Sequence, residues 1–292
     1  MTRAGIAAVV GRPNTGKSTL VNALVGRKVS IVSDKPQTTR DRVRGVLTGD
    51  GYQVVLTDTP GFHKPRTLLG RRLNEVVGES TSDVDAIVQV VDGAAGIGRG
   101  DAFVAARQVE PHDGLKVCAV NKIDRLSRSA VLPLLEAAAA LTAFDHVIPV
   151  SARTGDGVPE LLALLVEALP EGPYLFPEEE TTDQPLERHV AEIVREKALA
   201  ATREEVPHSI ATQVEELERE EGLVRIHCVV LVERESQKGI VIGKGGEMLK
   251  RIGTQARVEL EALLGEKVYL ELRVKVLRDW QRDPKALERL GY

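Results

Sequence analysis

GIAAVVGRPNTGKSTL (Gly5–Leu20) decides how the first half of this chain is built. The apolar run 5–10 is short and bounded by glycine, as a strand buried on both faces would be. Gly11, Gly16, Lys17 and Ser18 then fit the spacing G-x-x-x-x-G-K-[ST], and the following residues open a helix-like pattern. Strand, glycine loop and helix together are the context in which this spacing has a mechanism. Backbone N–H groups of residues 14–19 wrap a phosphate at a helix N-terminus, whose partial positive charge favours an anion. Lys17 is expected to reach the β- and γ-phosphates, and the Ser18 hydroxyl to ligate Mg²⁺. Gly11, Asn14, Thr15, Gly16, Lys17, Ser18 and Thr19 are therefore candidate nucleotide-binding residues, and Lys17 is also a catalytic candidate.

Outward from this loop, further short apolar runs follow at 54–58, 86–92, 117–120 and 147–150, separated by helix-like stretches. Such alternation predicts a mixed, mostly parallel sheet with helices on both faces. Chemistry should then collect at the carboxyl ends of the strands, and each remaining motif directly follows an apolar run.

Asn121-Lys122-Ile123-Asp124 names the base. A carboxylate accepts two parallel hydrogen bonds. Guanine offers a matching N1–H and N2–H₂ pair, whereas adenine presents an acceptor at N1 and no amine at C2. Asp124 thus selects guanine, since adenine would leave polar groups unpaired. Asn121 is expected on the opposite side of the base, tying loops together, with the Lys122 stem along the base plane. Ser151 and Ala152 follow the run at 147–150, and the Ala152 N–H is aimed at the guanine O6. Asp58-Thr-Pro-Gly61 ends another strand. Asp58 is expected to hold Mg²⁺ through water, and the Gly61 N–H to bond the γ-phosphate, so the residues after Gly61 read as a switch. In the loop Thr38-Thr39-Arg40, Thr39 is the candidate second hydroxyl on Mg²⁺, and Thr38 could fill the same role. Thr39 and Gly61 join Lys17 as catalytic candidates.

Composition limits the rest. The 292 residues suffice for two cores, and the chain is 42% hydrophobic and 28% charged, as globular proteins are. A net charge of −4 gives no global field for nucleic acid, so any such surface must be local. Cys118 and Cys228 lie in separate apolar runs and read as buried thiols in a reducing compartment. No segment reads as a signal peptide or a membrane span, which predicts a cytoplasmic protein. The six histidines show no metal-binding spacing with cysteine.

The stretch 169–185 is rich in proline and acid and has no period. It divides the chain into a domain over 1–170, a linker over 171–185, and a smaller α+β domain over 186–292. In that second domain a charged helix (186–202) precedes a β-rich segment (223–235), a helix (247–265) and an alternating strand (267–276). A second glycine loop, IGKGG (242–246), lacks both the G-K-[ST] ending and the dinucleotide register. It fits G-x-x-G as Gly243-Lys244-Gly245-Gly246. Such a loop, between two helices, is that of a K-homology domain and clamps the backbone of single-stranded nucleic acid. Residues 234–257 hold six basic side chains against two acids, a local +4 on a chain that is −4 overall. Val241 and Ile242 are expected to face bases, with Lys250 and Arg251 flanking the phosphate track. RNA is the expected partner and DNA is not. The element order resembles the type II K-homology topology.

The first 170 residues resemble the translation-factor-like branch of the P-loop GTPases. Ras-like members carry a water-orienting glutamine just after the glycine corresponding to Gly61. Phe62 stands there instead, which places the chain with the subgroup that has a hydrophobic residue at this point. Asn14 resembles the asparagine that helps hold K⁺ near the phosphates in several of its members. Together, GRPNTGKS, KPQTTRDR (35–42), DTPGFH (58–63), NKID, SARTG, GIVIGKGG and LERLGY (287–292) resemble the Era family of bacterial ribosome-assembly GTPases over nearly the whole chain. The resemblance implies slow, Mg²⁺-dependent GTP hydrolysis. It also implies GTP-regulated binding to the 3′ end of 16S ribosomal RNA, a role in 30S subunit maturation, and peripheral contact with the inner face of the cell membrane. The competing reading is a constitutive RNA-binding protein in which GTP is a structural ligand.

Overall fold

The computed structural model of the chain describes residues 1–35, 37–61, 65 and 67–292. They fall into two compact units. The first runs to Asp183 but leaves out two short segments, near 33–38 and 67–69, which cluster with the second unit over Gln184–Tyr292.

The first unit begins with β1 (Arg3–Val10), α1 (Lys17–Val25), β2 (Val43–Gly49), β3 (Tyr52–Asp58) and α2 (Leu68–Ser80). It continues with β4 (Ala86–Asp92), α3 (Arg99–Val104), β5 (Leu115–Asn121), α4 (Arg128–Ala139), β6 (His146–Pro149) and α5 (Val158–Ala168). The six strands stand in the order β2-β3-β1-β4-β5-β6. All neighbours are parallel except β2 and β3. The antiparallel pair follows from the short turn between them, because a parallel partner would need a long crossover. β1 lies where the strand order reverses, which is where an open α/β sheet binds its ligand. Its inner residues Ala7 and Val9, with Val54, Leu56, Val88 and Val90 of the neighbouring strands, pack against Leu20, Val21 and Leu24 of α1 and Leu161 and Leu165 of α5. Register aligns the ends that matter: Val9 lies beside Asp58, and Asp92 beside Asn121.

Residues 171–183, expected within a linker, are part of this unit. Glu171 bridges to Arg3 and Thr182 to Gly45. Gln53 is fully buried, and its amide carries much of the attachment. Its oxygen accepts from the N–H groups of Leu175 and Phe176 at 2.8 and 2.9 Å, and its nitrogen donates to the Phe176 carbonyl at 2.9 Å. Composition reads this stretch as loose, but a buried amide cannot go unpaired, and the strap satisfies it.

The second unit contains α6 (Leu186–Ala201), α7 (Val206–Ser209), β7 (Ala211–Glu220), β8 (Leu223–Val232), α8 (Glu235–Ile242), α9 (Glu247–Leu264), β9 (Lys267–Val276) and α10 (Pro284–Arg289). β7 and β8 form a hairpin, and β9 lies parallel to β8 on its other side. The core joins Val190, Ile193 and Val194 of α6, Ile226, Cys228 and Val230 of β8, and Ile252, Ala256 and Leu260 of α9. Trp280 is fully buried and donates from its indole N–H to the Ser209 carbonyl at 2.9 Å. Both cysteines are buried and reduced, and burial pushes each thiol up to about 12, so neither is a ready nucleophile. Among the described residues no helix is long and apolar enough to cross a membrane.

Candidate nucleotide and nucleic-acid sites

At the end of β1 the chain turns through backbone conformations that explain its glycines. Gly16 caps α1 with φ 95°. A Cβ there would also stand 2.3 Å from the Asn121 side-chain nitrogen. Asn14 takes φ 64°, a left-handed conformation that asparagine tolerates better than most residues. Gly61 is required for a different reason. A Cβ on it would lie 2.7 Å from the Pro13 backbone, so only glycine lets the end of β3 approach the loop this closely.

Lys17 is buried inside the loop. Its ammonium donates to the carbonyls of Arg12 at 2.9 Å and Gly11 at 3.3 Å. Burial lowers its pKa from 10.5 to about 8, and the Asp58 charge opposes that shift. Next to it three oxygens converge. Ser18 Oγ and Thr39 Oγ1 are 2.9 Å apart, and Thr39 Oγ1 donates to Asp58 Oδ2 at 3.4 Å. Asp58 is fully buried, and its other oxygen, Oδ1, has no hydrogen-bond partner among the described residues. Burial pushes this carboxyl up, opposed first by the Ser18 hydroxyl and then by the Lys17 charge. A buried carboxylate with an orphaned oxygen beside two hydroxyls is a donor set of hard oxygens suited to Mg²⁺. Thr38, the alternative to Thr39, is engaged elsewhere, since its hydroxyl donates to the Lys35 carbonyl at 2.7 Å. Thr19 lies in the first turn of α1.

The residues expected to read the base gather at the ends of β5 and β6. Asn121 is buried and serves as the tie between loops. Its nitrogen donates to the Thr15 carbonyl at 2.9 Å, and its oxygen accepts from the N–H groups of Lys122 at 2.8 Å and Ala152 at 3.0 Å. The Ala152 N–H, expected at the guanine O6, is therefore directed at Asn121. Lys122 sends its ammonium to the Asn14 carbonyl at 2.6 Å and to Asp92 at 2.5 Å. Asp124 accepts from the Ser151 hydroxyl at 2.8 Å, and this bond, ahead of the Arg153 charge, holds its pKa below the usual carboxylate value.

Three contributors escaped the sequence reading. Asp92 anchors Lys122. Arg12 donates to the buried carboxylate of Asp101 at 2.7 Å and to the Gly96 carbonyl at 3.2 Å, pinning the outer side of the glycine loop. The position of Asp92 at a strand end was a usable signal, whereas the pairing of residues 12 and 101 has none in the sequence. Phe62 lies outside the described residues.

In the second unit, Gly243, Gly245 and Gly246 all have positive φ, at 74°, 61° and 83°. Gly243 ends α8 and Gly246 caps α9. A Cβ on Gly243 would stand 2.6 Å from the Met248 Cβ, while Gly245 and Gly246 have open space around them. Lys244 and Gly245 are exposed at the tip. Beside the loop runs a groove of about 530 Å³, lined along α9 by Gly246, Lys250, Gly253, Thr254 and Arg257, and floored by Leu270 and Leu272 of β9. Gly253 faces the same strand, and a Cβ there would lie at an ordinary contact distance of 3.4 Å from Leu272. Thr254, Leu270 and Leu272 were not foreseen, although helical spacing from Gly246 and alternation along β9 mark them.

Two expected contacts need correction. Val241 is fully buried in the core, so its side chain cannot face a base; its neighbour Ile240 is 47% exposed. One residue of helical rotation separates them, and the turn into Gly243 fixes which faces inward. Arg251 does not line the groove; it lies exposed beside the Met248 sulfur at 3.0 Å, and Lys250 alone of that pair faces inward.

The family model for 50S ribosome-binding GTPases matches residues 6–122, and that for the KH domain matches residues 205–281. GTPase Era of Mycobacterium tuberculosis is 50% identical over 294 residues, covering 99% of this chain and 98% of that protein. GTPase Era of Mycobacterium sp. strain KMS is 49% identical, with 99% of each chain covered. Two solved structures superpose with TM-scores of 0.96 at 41% identity, covering 100% of this chain and 99% of theirs. One is Era in complex with MgGDPNP and nucleotides 1506–1542 of 16S ribosomal RNA. The other is an Aquifex aeolicus Era variant bound to GDP·AlF4⁻. With a P-loop site and a KH groove in one chain, and these identities over its full length, the chain belongs to the Era family of GTPases.

Proposed function

We propose that this chain is a GTP-hydrolysing switch whose second unit binds the 3′ end of 16S ribosomal RNA and assists 30S subunit maturation in the cytoplasm. The observation that carries the reading is the convergence of Ser18, Thr39 and Asp58 beside the buried Lys17. A cluster of hydroxyls and carboxylate next to a phosphate loop suits a nucleoside triphosphate with its Mg²⁺.

Ser18 and Thr39, and Asp58 through water, would hold Mg²⁺, which would supply charge neutralisation at the phosphate oxygens. Lys17 turns from the two loop carbonyls toward the β- and γ-phosphates and stabilises charge that develops as the γ-phosphoryl departs. Thr39 belongs to the loop before β2, so its hydroxyl joins the site only when that loop is in place. The Gly61 N–H meets the γ-phosphate, and its loss on hydrolysis releases the switch. Asp124 reads the guanine edge. Asn14 is the proposed K⁺ ligand, and equal turnover in sodium and potassium buffers would remove that role. Intrinsic hydrolysis is expected to be slow.

On the second unit, RNA backbone docks on the N–H groups at Gly243–Gly246, with Lys244 at the tip and Lys250 and Arg257 along the groove. Leu270 and Leu272 offer an apolar floor to bases. The relative solved with nucleotides 1506–1542 supports the choice of RNA.

The test is fluorescence anisotropy with a single-stranded RNA from the 16S 3′ end, at fixed salt, with GDP and with a non-hydrolysable GTP analogue. Tighter binding in the triphosphate form is expected, with a coupling free energy given by the affinity ratio. Equal affinities would make the protein a constitutive RNA binder instead.

A further inference from the structure

We propose that Arg153 is a resident occupant of the guanine-reading carboxylate, a built-in competitor that speeds release of bound nucleotide. The proposal rests on the reading of Asp124 as the guanine selector. One Arg153 guanidinium nitrogen lies 2.9 Å from Asp124 Oδ2 as an ion pair outside hydrogen-bond geometry, since Oδ2 accepts no hydrogen bond among the described residues, while Oδ1 already accepts from the Ser151 hydroxyl. A guanine edge needs both oxygens, one for N1–H and one for the C2 amine. Each carboxylate oxygen has two acceptor directions, so the small Ser151 hydroxyl can stay. The guanidinium at Oδ2 cannot share that side with an arriving ring.

The surroundings favour exchange over permanent blockage. The Asp124 side chain is 10% exposed and that of Arg153 is 70% exposed, so the acceptor is fixed and its cation is not. The backbone carrying Arg153 is held in a tight turn. Ser151 N–H donates to the Asp156 carbonyl and Gly155 N–H to the Ser151 carbonyl, both at 2.8 Å, and Thr154 N–H donates to Ser151 Oγ at 3.2 Å. The side chain thus swings from an anchored Cα and returns to the same place. When a base departs, a charged donor is at hand for the carboxylate it vacates. The leaving state is spared a carboxylate without a counter-charge, and release is faster for it. Such a device suits a switch that resets by its own nucleotide exchange.

The experiment follows release of a methylanthraniloyl-labelled GDP from the full chain, chased with excess GDP, in stopped flow. Arg153→Ala should slow release about two- to five-fold, the range open to an exposed ion pair, and tighten GDP binding to match. Arg153→Lys, which keeps a cation, should recover most of the faster release. High NaCl should shrink the difference between the wild-type protein and Arg153→Ala. Unchanged or faster release from Arg153→Ala would overturn the proposal, the latter by making the arginine a clamp on the base. Asp124→Asn separates the underlying reading. Its amide should lose GDP and gain xanthosine diphosphate, whose C2 carbonyl accepts a hydrogen bond. If that variant still prefers GDP, Asp124 is not the selector and both readings fall.

Discussion

The chain uses one backbone device twice, with opposite surroundings. Gly11–Ser18 and Gly243–Gly246 both place left-handed glycines at a helix N-terminus, so that N–H groups point outward to an anion. The first loop encloses a buried lysine, lies against a buried carboxylate, and is tied to neighbouring loops by Arg12 and Asn121. The second carries its lysine at an exposed tip and opens onto a groove with basic residues and an apolar floor. Enclosure suits a compact polyphosphate with a metal. Openness suits a polymer that must enter from the side and leave at both ends. The backbone therefore says "phosphate", and the side chains decide whose.

The sharpest way to break this contrast is at the lysines. Lys17→Ala should cost at least about 100-fold in GTP hydrolysis, as loss of a preorganised charge on the reacting group does, and leave RNA affinity in the GDP state unchanged. The same change should stabilise the nucleotide-free protein. A lysine held at about 8 instead of 10.5 is a destabilising burial of charge worth at most about 3 kcal/mol at neutral pH. The sign follows from proton counting. Between these values the unfolded chain binds more protons, so the destabilisation is full below pH 8 and fades as pH rises toward 10.5. Thermal melts of both proteins at about pH 7 and about pH 10 check this, with the gap between them narrowing at the higher pH. Nucleotide affinity of the wild-type protein should fall above about pH 8, as the free Lys17 loses its charge.

At the second loop the corresponding change acts through the backbone. Gly243→Ala should destabilise the second unit by about 1–3 kcal/mol, since its φ of 74° is strained for alanine and the added carbon meets Met248. RNA binding should drop with it, while GDP titrations on the same sample stay unaltered. A smaller effect is expected from Lys250→Ala or Arg257→Ala. Each should lower the slope of log affinity against log salt by about 0.7, the value for one single-strand phosphate contact. Arg251→Ala should leave that slope alone. The smallest effect belongs to Gly253→Ala. The added methyl meets Leu272 at an ordinary contact distance, and the helix gains up to about 1 kcal/mol from leaving glycine.

The P-loop, the placement of Asn121–Asp124 at the end of β5 and the G-x-x-G loop were legible in the sequence because each is a local pattern whose residues are neighbours along the chain. The parallel sheet was legible too, through the rhythm of buried strands and amphipathic helices. What failed to show is long-range. Asp101 finds Arg12 across 89 positions, and nothing local marks either as a partner. Val241 and Ile240 are equally apolar, and only the packing of α8 on the core says that the first is inside. The sequence favoured Thr39 but left Thr38 open, and the hydrogen bond from the Thr38 hydroxyl to the Lys35 carbonyl separates them. The composition of 171–183 also misled, because charge and proline describe solubility and say nothing of a buried glutamine waiting on β3.

That glutamine has a consequence for how the chain can be cut. A segment so rich in proline and acid would ordinarily be the first target of a protease and the first to exchange its amide protons. Here the Leu175 and Phe176 amides are closed onto the Gln53 side chain. They should exchange slowly, and cleavage between the units should fall after Asp183 rather than along the whole stretch. Between that strap and the start of α6 only Gln184 and Pro185 remain. Gln53→Leu would free the strap, exposing a protected stretch to digestion without touching either site.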